Sequence, residues 1–178
     1  MLVIVDNGSG AENISRVVRM PKKIVKPEEA GSIKASGYIL SDGELKNQKF
    51  NIDIIKKINK PLLAIGVGYI FLGACFGAKY KDGKISKQEK IIIERPCPIV
   101  LDMKKNINVI KTCKSIFEDI PENFDVIGSS KSYDFEIIQD AEKPLFGVHF
   151  NPELGADGFK IIDNFVKFVD VWEKYHKD

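Results

Sequence analysis

Residues 61 to 77, Pro-Leu-Leu-Ala-Ile-Gly-Val-Gly-Tyr-Ile-Phe-Leu-Gly-Ala-Cys-Phe-Gly, decide the fold. The short apolar run after Pro61 predicts a fully buried strand, and Gly66-Val67-Gly68 predicts a tight corner into an apolar helix closed by Gly77. An elbow of this kind lifts one side chain above the sheet, beside helix N-terminal amides that can hold an oxyanion. Here the corner holds Gly66, which has no side chain.

The stretch resembles the nucleophile segment of class I glutamine amidotransferases, Pro-x-Leu-Gly-Ile-Cys-x-Gly-His-Gln followed by an Ala-x-Gly-Gly helix end. Pro61, Leu63, Ile65, Gly68, Phe76 and Gly77 align without a gap, which places Gly66 on the family's cysteine and Tyr69-Ile70 on its His-Gln. A second segment, Gly147-Val-His-Phe-Asn-Pro-Glu153, resembles Gly-Val-Gln-Phe-His-Pro-Glu, which carries the rest of the family's triad. There Asn151 takes the histidine position, Glu153 the acidic one, and His149 replaces a glutamine. Asp6-Asn7-Gly8 matches the opening of the GMP synthase glutaminase branch. The resemblance spans nearly the whole chain. It implies one domain over residues 1–178, an α/β three-layer sandwich of flavodoxin-like type, with a mostly parallel central sheet and an antiparallel strand extension. It also implies a synthetase-type protein partner.

A glutaminase needs a thiolate nucleophile, a base that passes its proton to ammonia, and a carboxylate that orients the base. Of these only Glu153 remains, since glycine offers no nucleophile and an amide side chain does not titrate near neutral pH. The expectation is a catalytically inactive relative acting in binding, regulation or scaffolding. The alternative is a hydrolase or lyase that reuses the pocket with His149, Asp42 or Glu153 as acid or base.

Around the elbow, Ser41, Asp42, Gly43, Gly66, Val67, Gly68, Tyr69, Lys131, His149 and Asn151 are the ligand-binding candidates. The amides at Gly66, Val67 and Gly68 suit a carboxylate or phosphate, and a small polar metabolite is the expected ligand. The competing expectation is a pocket filled by Tyr69. Leu40-Ser41-Asp42-Gly43-Glu44 stands where the family writes Leu-Ser-Gly-Gly-Pro, whose amides help form the oxyanion hole. Asp42 there would repel a developing negative charge, or else it is a turn aspartate facing water. Val126 to Ser132 lies where the family has a strand ending in Ser-His, with Ser130 in the histidine position. On a continuing strand His149 and Asn151 would share one face, their α-carbons about 6.6 Å apart.

With 27 Lys and Arg against 25 Asp and Glu, the chain of 178 residues has a net charge of +2. No global field then selects nucleic acid or an anionic membrane. Cys75, Cys97 and Cys113 are odd in number and lack CxxC spacing, so neither a disulfide framework nor a zinc site is expected. Cys75 lies about 13 Å along the helix from the elbow, too far to substitute as nucleophile. With no cofactor motif, and an amino terminus that reads as a strand rather than a leader, the expectation is a cytoplasmic protein without cofactor, metal or membrane span. Gly8-x-Gly10 is an incomplete dinucleotide fingerprint, because Asn13 stands where its third glycine belongs.

Working outward, Leu2 to Val5 reads as a central strand, Ala11 to Met20 as a helix, Lys23 to Lys26 as a strand, and Pro27 onward as a helical turn. Gly37 to Ser41 reads as a strand and Asn51 to Asn59 as a helix. Asp82-Gly83 signals a hairpin turn, and Lys84 to Met103 reads as antiparallel strands projecting from the sheet and broken at Pro96-Cys97-Pro98. Ile107 to Lys111 is a further strand, Ser115 to Pro121 a turn, and Phe135–Gln139 with Pro144–Phe150 a hairpin. Gly158 to Tyr175 is an amphipathic helix.

Overall fold

The computed structural model describes residues 1–84 and 86–176. Five strands and four helices come first: β1 (Leu2–Val5), α1 (Ala11–Val17), β2 (Lys22–Val25), α2 (Pro27–Ala30), β3 (Gly37–Leu40), α3 (Gln48–Lys57), β4 (Leu62–Ile65), α4 (Val67–Cys75) and β5 (Tyr80–Asp82). Six strands follow, β6 (Gln88–Ile93), β7 (Asn106–Ile110), β8 (Ser115–Phe117), β9 (Phe124–Ser129), β10 (Ile137–Asp140) and β11 (Leu145–Val148), and then α5 (Phe159–Tyr175).

Nine strands form one sheet in the order β2-β1-β3-β4-β11-β10-β9-β6-β7. The pairings from β2 to β11 are parallel and those from β11 to β7 antiparallel. Period-two alternation sorts the strand residues into two cores, as strand geometry requires. Leu2, Ile4, Ile39, Leu63 and Ile65 face α1 and α5, packing with Ile14, Ile161, Ile162 and Phe165. Val3, Val5, Leu40, Leu62 and Ala64 face the other way, onto Ile54, Ile55, Ile70 and Phe71 of α3 and α4. This is the α/β three-layer sandwich. Parallel strands buried on both faces account for the unbroken apolar runs in β1, β3 and β4.

Four details differ from the sequence expectation. β1 is second from the edge, not central; helices on both faces bury it just as fully as a middle strand. Asp82-Gly83 does not turn a local hairpin, because β5 pairs with β8 more than thirty residues on and the Gly83 amide continues that ladder to the Lys114 carbonyl. Ser115 to Phe117 is therefore a strand. β6 and β7 continue the main sheet instead of projecting from it, and Pro98–Val100 is a short 3-10 turn, since two prolines flanking Cys97 remove ladder donors. Ile85, within that expected strand region, lies outside the described residues.

The outer edge of β7 is engaged by the segment that follows β11. The Asn108 amide donates to Asp157 Oδ2 (2.8 Å), the Asp157 amide donates to the Asn108 carbonyl (3.2 Å), and the Asn151 amide donates to the Ile110 carbonyl (2.8 Å).

Candidate functional site

β4 runs into the elbow at Gly66, whose backbone (φ 56°, ψ −116°) lies outside both the helical and strand regions. Only glycine adopts such a conformation without strain. The Gly66 amide stays in the sheet, donating to the Val148 carbonyl (3.0 Å). The next amide, Val67, opens α4 and points into the cleft between β4 and β3.

The loop after β3 is pinned from β1. Asn7 and Asn51 exchange side-chain amide hydrogen bonds (2.7 and 3.2 Å), and Asn7 Nδ2 also donates to the Ser41 carbonyl (3.0 Å). Ser41 Oγ accepts from the Asn7 amide (2.9 Å) and donates to the Asp42 carbonyl (2.8 Å). Gly43 runs so close to this turn that a Cβ would lie 1.9 Å from the Asn7 carbonyl oxygen. Ser41 is thus spent on holding the loop.

The pinned loop aims Asp42 into the elbow. Asp42 Oδ1 accepts from the amides of Gly43 (2.9 Å) and Val67 (2.8 Å), while Oδ2 accepts from Asn151 Nδ2 (3.0 Å) and lies within hydrogen-bonding reach of Thr112 Oγ1. Asp42 is 4% exposed, which corrects the reading of a turn residue facing water. Its carboxylate sits between the amide after the elbow and an amide of a neighbouring strand loop, the arrangement in which hydrolase elbows hold an oxyanion.

Asn151 begins a 3-10 turn after β11 and links the other groups. Its Nδ2 donates to Asp42 and to Glu153 Oε1 (3.1 Å), and its Oδ1 accepts from the Thr112 amide (2.9 Å). Glu153 is buried, with Oε2 unpartnered. Burial pushes its carboxyl up to about 7, with bonds from its own amide and Asn151 opposing and the Asp42 charge adding to the rise.

Beneath lies a second group, of which the sequence singled out Ser130 and His149 but not Lys111 or Glu136. Lys111 pairs with Glu136, Ser130 Oγ donates to Glu136 Oε1 (2.8 Å), and His149 Nδ1 lies 3.5 Å from Glu136 Oε2; Lys111, Glu136 and His149 are all fully buried or nearly so. Burial alone would raise the Glu136 carboxyl, but His149 and Lys111 outweigh it and hold the group below the ordinary glutamate value. For Glu136 the hint in the sequence was its place beside the apolar Ile137-Ile138. His149 Nε2 is 2.8 Å from the Ser115 carbonyl oxygen and therefore acts as the donor there.

Tyr69 lies in this lower layer, its hydroxyl 2.9 Å from that of Tyr133 and donating to the Phe135 carbonyl (2.6 Å), its ring 4.6 Å from Phe117 and 5.6 Å from His149. The oxyanion position is thus filled by Asp42 rather than by Tyr69. Outside it a cavity of about 520 Å³ remains open, lined by Ser9, Glu44, Val67, Thr112, Cys113 and Lys114 among others. Asp42, Gly43 and Val67 reach this cavity; Ser41, Tyr69, Lys131, His149 and Asn151 do not line it. Lys131 is exposed in the turn after β9. His149 and Asn151 do not share a strand face, because β11 ends at Val148. Of the three amides expected to suit an anion, two are taken, Gly66 by the sheet and Val67 by Asp42, and neither Gly66 nor Gly68 lines the cavity.

Cys113 is the residue that the fold, not the sequence, brings here. It is 3% exposed, its thiol donates to the Ser115 carbonyl (3.6 Å), and burial, with the Asp42 charge, pushes it up to about 12. It shares an acceptor with His149, and its burial favours the thiol over the nucleophilic thiolate.

Residues 3–168 match the family model for class-I glutamine amidotransferase. The chain belongs to the class I glutamine amidotransferase family. It is 28% identical to a glutamine-hydrolyzing GMP synthase subunit of Methanocaldococcus jannaschii, over 94% of this chain and 96% of that protein. It is 27% identical to the corresponding subunit of Pyrococcus abyssi, over 94% and 97%. The crystal structure of a putative GMP synthase subunit from Thermoplasma acidophilum superposes with a TM-score of 0.93 at 24% identity, covering 99% of this chain and 97% of that one. This class I amidotransferase fold therefore carries glycine at its elbow and asparagine after β11. Among the described residues no helix is long and apolar enough to cross a membrane.

Proposed function

We propose that this amidotransferase-like chain does not hydrolyse glutamine, and that it acts in binding, regulation or scaffolding within a system of the amidotransferase–synthetase type. The observation that carries this reading is the elbow itself. Position 66 has no side chain, and the volume that a side chain there would enter is taken by the Asp42 carboxylate. Asn151 contributes an amide that donates to two carboxylates, a role that a proton-accepting base could not fill. The remaining cavity, rimmed by Ser9, Glu44, Thr112 and Lys114, suits a small polar metabolite.

The test is a coupled glutamate assay on the purified protein, alone and with candidate synthetase subunits. No glutamine-dependent ammonia release above the protein-free control is expected. Turnover that requires both glutamine and this chain overturns the reading.

A second reading, a hydrolase or lyase using the same pocket, draws support from Glu153, whose carboxyl at about 7 suits proton transfer at neutral pH. It is the weaker one, because neither Glu153 nor His149 lines the cavity, and Asp42, which does, has both carboxylate oxygens engaged by Gly43, Val67, Asn151 and Thr112. Hydrolysis of any small ester or amide that disappears in Glu153→Gln, with the fold intact, would favour it.

A further inference from the structure

We infer that Asp42 is a built-in occupant of the elbow: the loop after β3 inserts its own carboxylate into the oxyanion position and holds that position closed to outside anions. This goes beyond the absence of a nucleophile, since it concerns an amide pair that the loss of a thiol would have left open.

Two kinds of geometry support it independently. The first is hydrogen bonding. Oδ1 lies 2.9 Å from the Gly43 amide and 2.8 Å from the Val67 amide, the pair that an elbow directs at a developing negative oxygen. Oδ2 is gripped from the opposite wall by Asn151 Nδ2 at 3.0 Å and by Thr112. The carboxylate therefore bridges the two walls of the cleft. The second is space. A Cβ built on Gly66 would lie 2.5 Å from Asp42 Cγ and 2.6 Å from Oδ1, well inside any real carbon contact. A side chain at 66 and the Asp42 carboxylate exclude one another.

The strap that carries Thr112 belongs to the same device. It runs from β7 to β8 across the mouth of the cleft, anchored below by the Lys111–Glu136 pair and above by Thr112 on Asn151. Replacing Gly66 with cysteine and Asn151 with histidine would therefore not rebuild a working elbow. The new thiol would meet Asp42, and the new imidazole would lack the amide donors that now hold the carboxylate. A third change, Asp42→Gly, is required before the other two can act.

Chemical rescue by formate, a bare carboxylate, tests the contact. Thermal unfolding of wild type and Asp42→Gly is followed in rising sodium formate, with sodium chloride at equal ionic strength as control. The variant should melt below wild type in chloride, and formate should raise its Tm above that in chloride, because an anion that binds only the folded state stabilises it by mass action. Wild type should respond alike to both salts. Equal responses of the variant overturn the inference while leaving the missing nucleophile untouched, so the two conclusions fail separately.

A second measurement serves if Asp42→Gly does not fold. In Asp42→Asn the amide protons of Gly43 and Val67 should both move upfield by NMR on losing a charged acceptor. Unchanged positions would overturn the inference. The steric half is read from Gly66→Ala, which should lower Tm less in the Asp42→Gly background than in wild type; equal losses count against it.

Discussion

Glu153 is buried beside another carboxylate, which makes its proton a stability matter. An ordinary glutamate near 4.5 is moved here to about 7, so the folded state holds the proton more tightly than the unfolded chain does. The stability that this proton contributes is fully present below about pH 4.5 and is lost as pH rises through 7. Glu136 runs the other way. Its carboxyl is held below the ordinary value, so its contribution is present above the glutamate value of 4.5 and is lost as pH falls through the lower folded value. Glu153→Gln removes the first effect only. The shift from 4.5 to about 7 corresponds to about 3 kcal/mol, so the variant should exceed wild type by up to about that amount at pH 8 and match it near pH 4. Urea unfolding at several pH values reads both ends. At this scale the sequence was least legible. Asp42 offered either repulsion at an oxyanion hole or a solvated turn, because its real partners, Val67 and Asn151, lie 25 and 109 positions away. Glycine at 66 and asparagine at 151, by contrast, are identities, and could be read directly.

At the scale of elements, α4 packs against β8 so closely that a Cβ on Gly73 would lie 2.2 Å from Phe117 Cζ. Replacing an interior helical glycine with alanine ordinarily stabilises by about 0.5–1 kcal/mol. Here overpacking should reverse the sign, with Gly73→Ala costing about 1–3 kcal/mol and Phe117→Leu in the same chain restoring part of it. Equilibrium unfolding of the single and double variants tests the claim. The strand, elbow and helix from Pro61 to Gly77 were legible because every signal is local: a proline boundary, an apolar run and glycines at the corner. The β5–β8 ladder was not, because it joins segments more than thirty residues apart, and Asp82-Gly83 imitates a hairpin turn that the chain does not make. The same limit applies to β6, whose membership of the main sheet depends on contact with β9.

For the whole molecule, the two cores follow from alternation along strands buried on both faces, so the layered architecture could be read from pattern and family resemblance together. Family membership bears on partners as well. The glutamine-hydrolyzing GMP synthase subunits to which the chain is similar are, by name, parts of a larger enzyme. If this chain retains a scaffold role, mixing it with a synthetase subunit from the same cell should yield a defined heteromer by light scattering, with Asp42→Gly assembling equally well. Two separate masses at micromolar concentration would argue against that role.

The segment after β11 that lies along β7 has a consequence of its own. A last strand normally exposes a row of backbone donors and acceptors that a foreign chain can zip onto. In this protein Asn151 and Asp157 already occupy that row at Ile110 and Asn108, while at the far end Lys22 and Lys23 place charge on β2. Both margins of the sheet are thereby made less receptive to an added strand, without closure into a barrel.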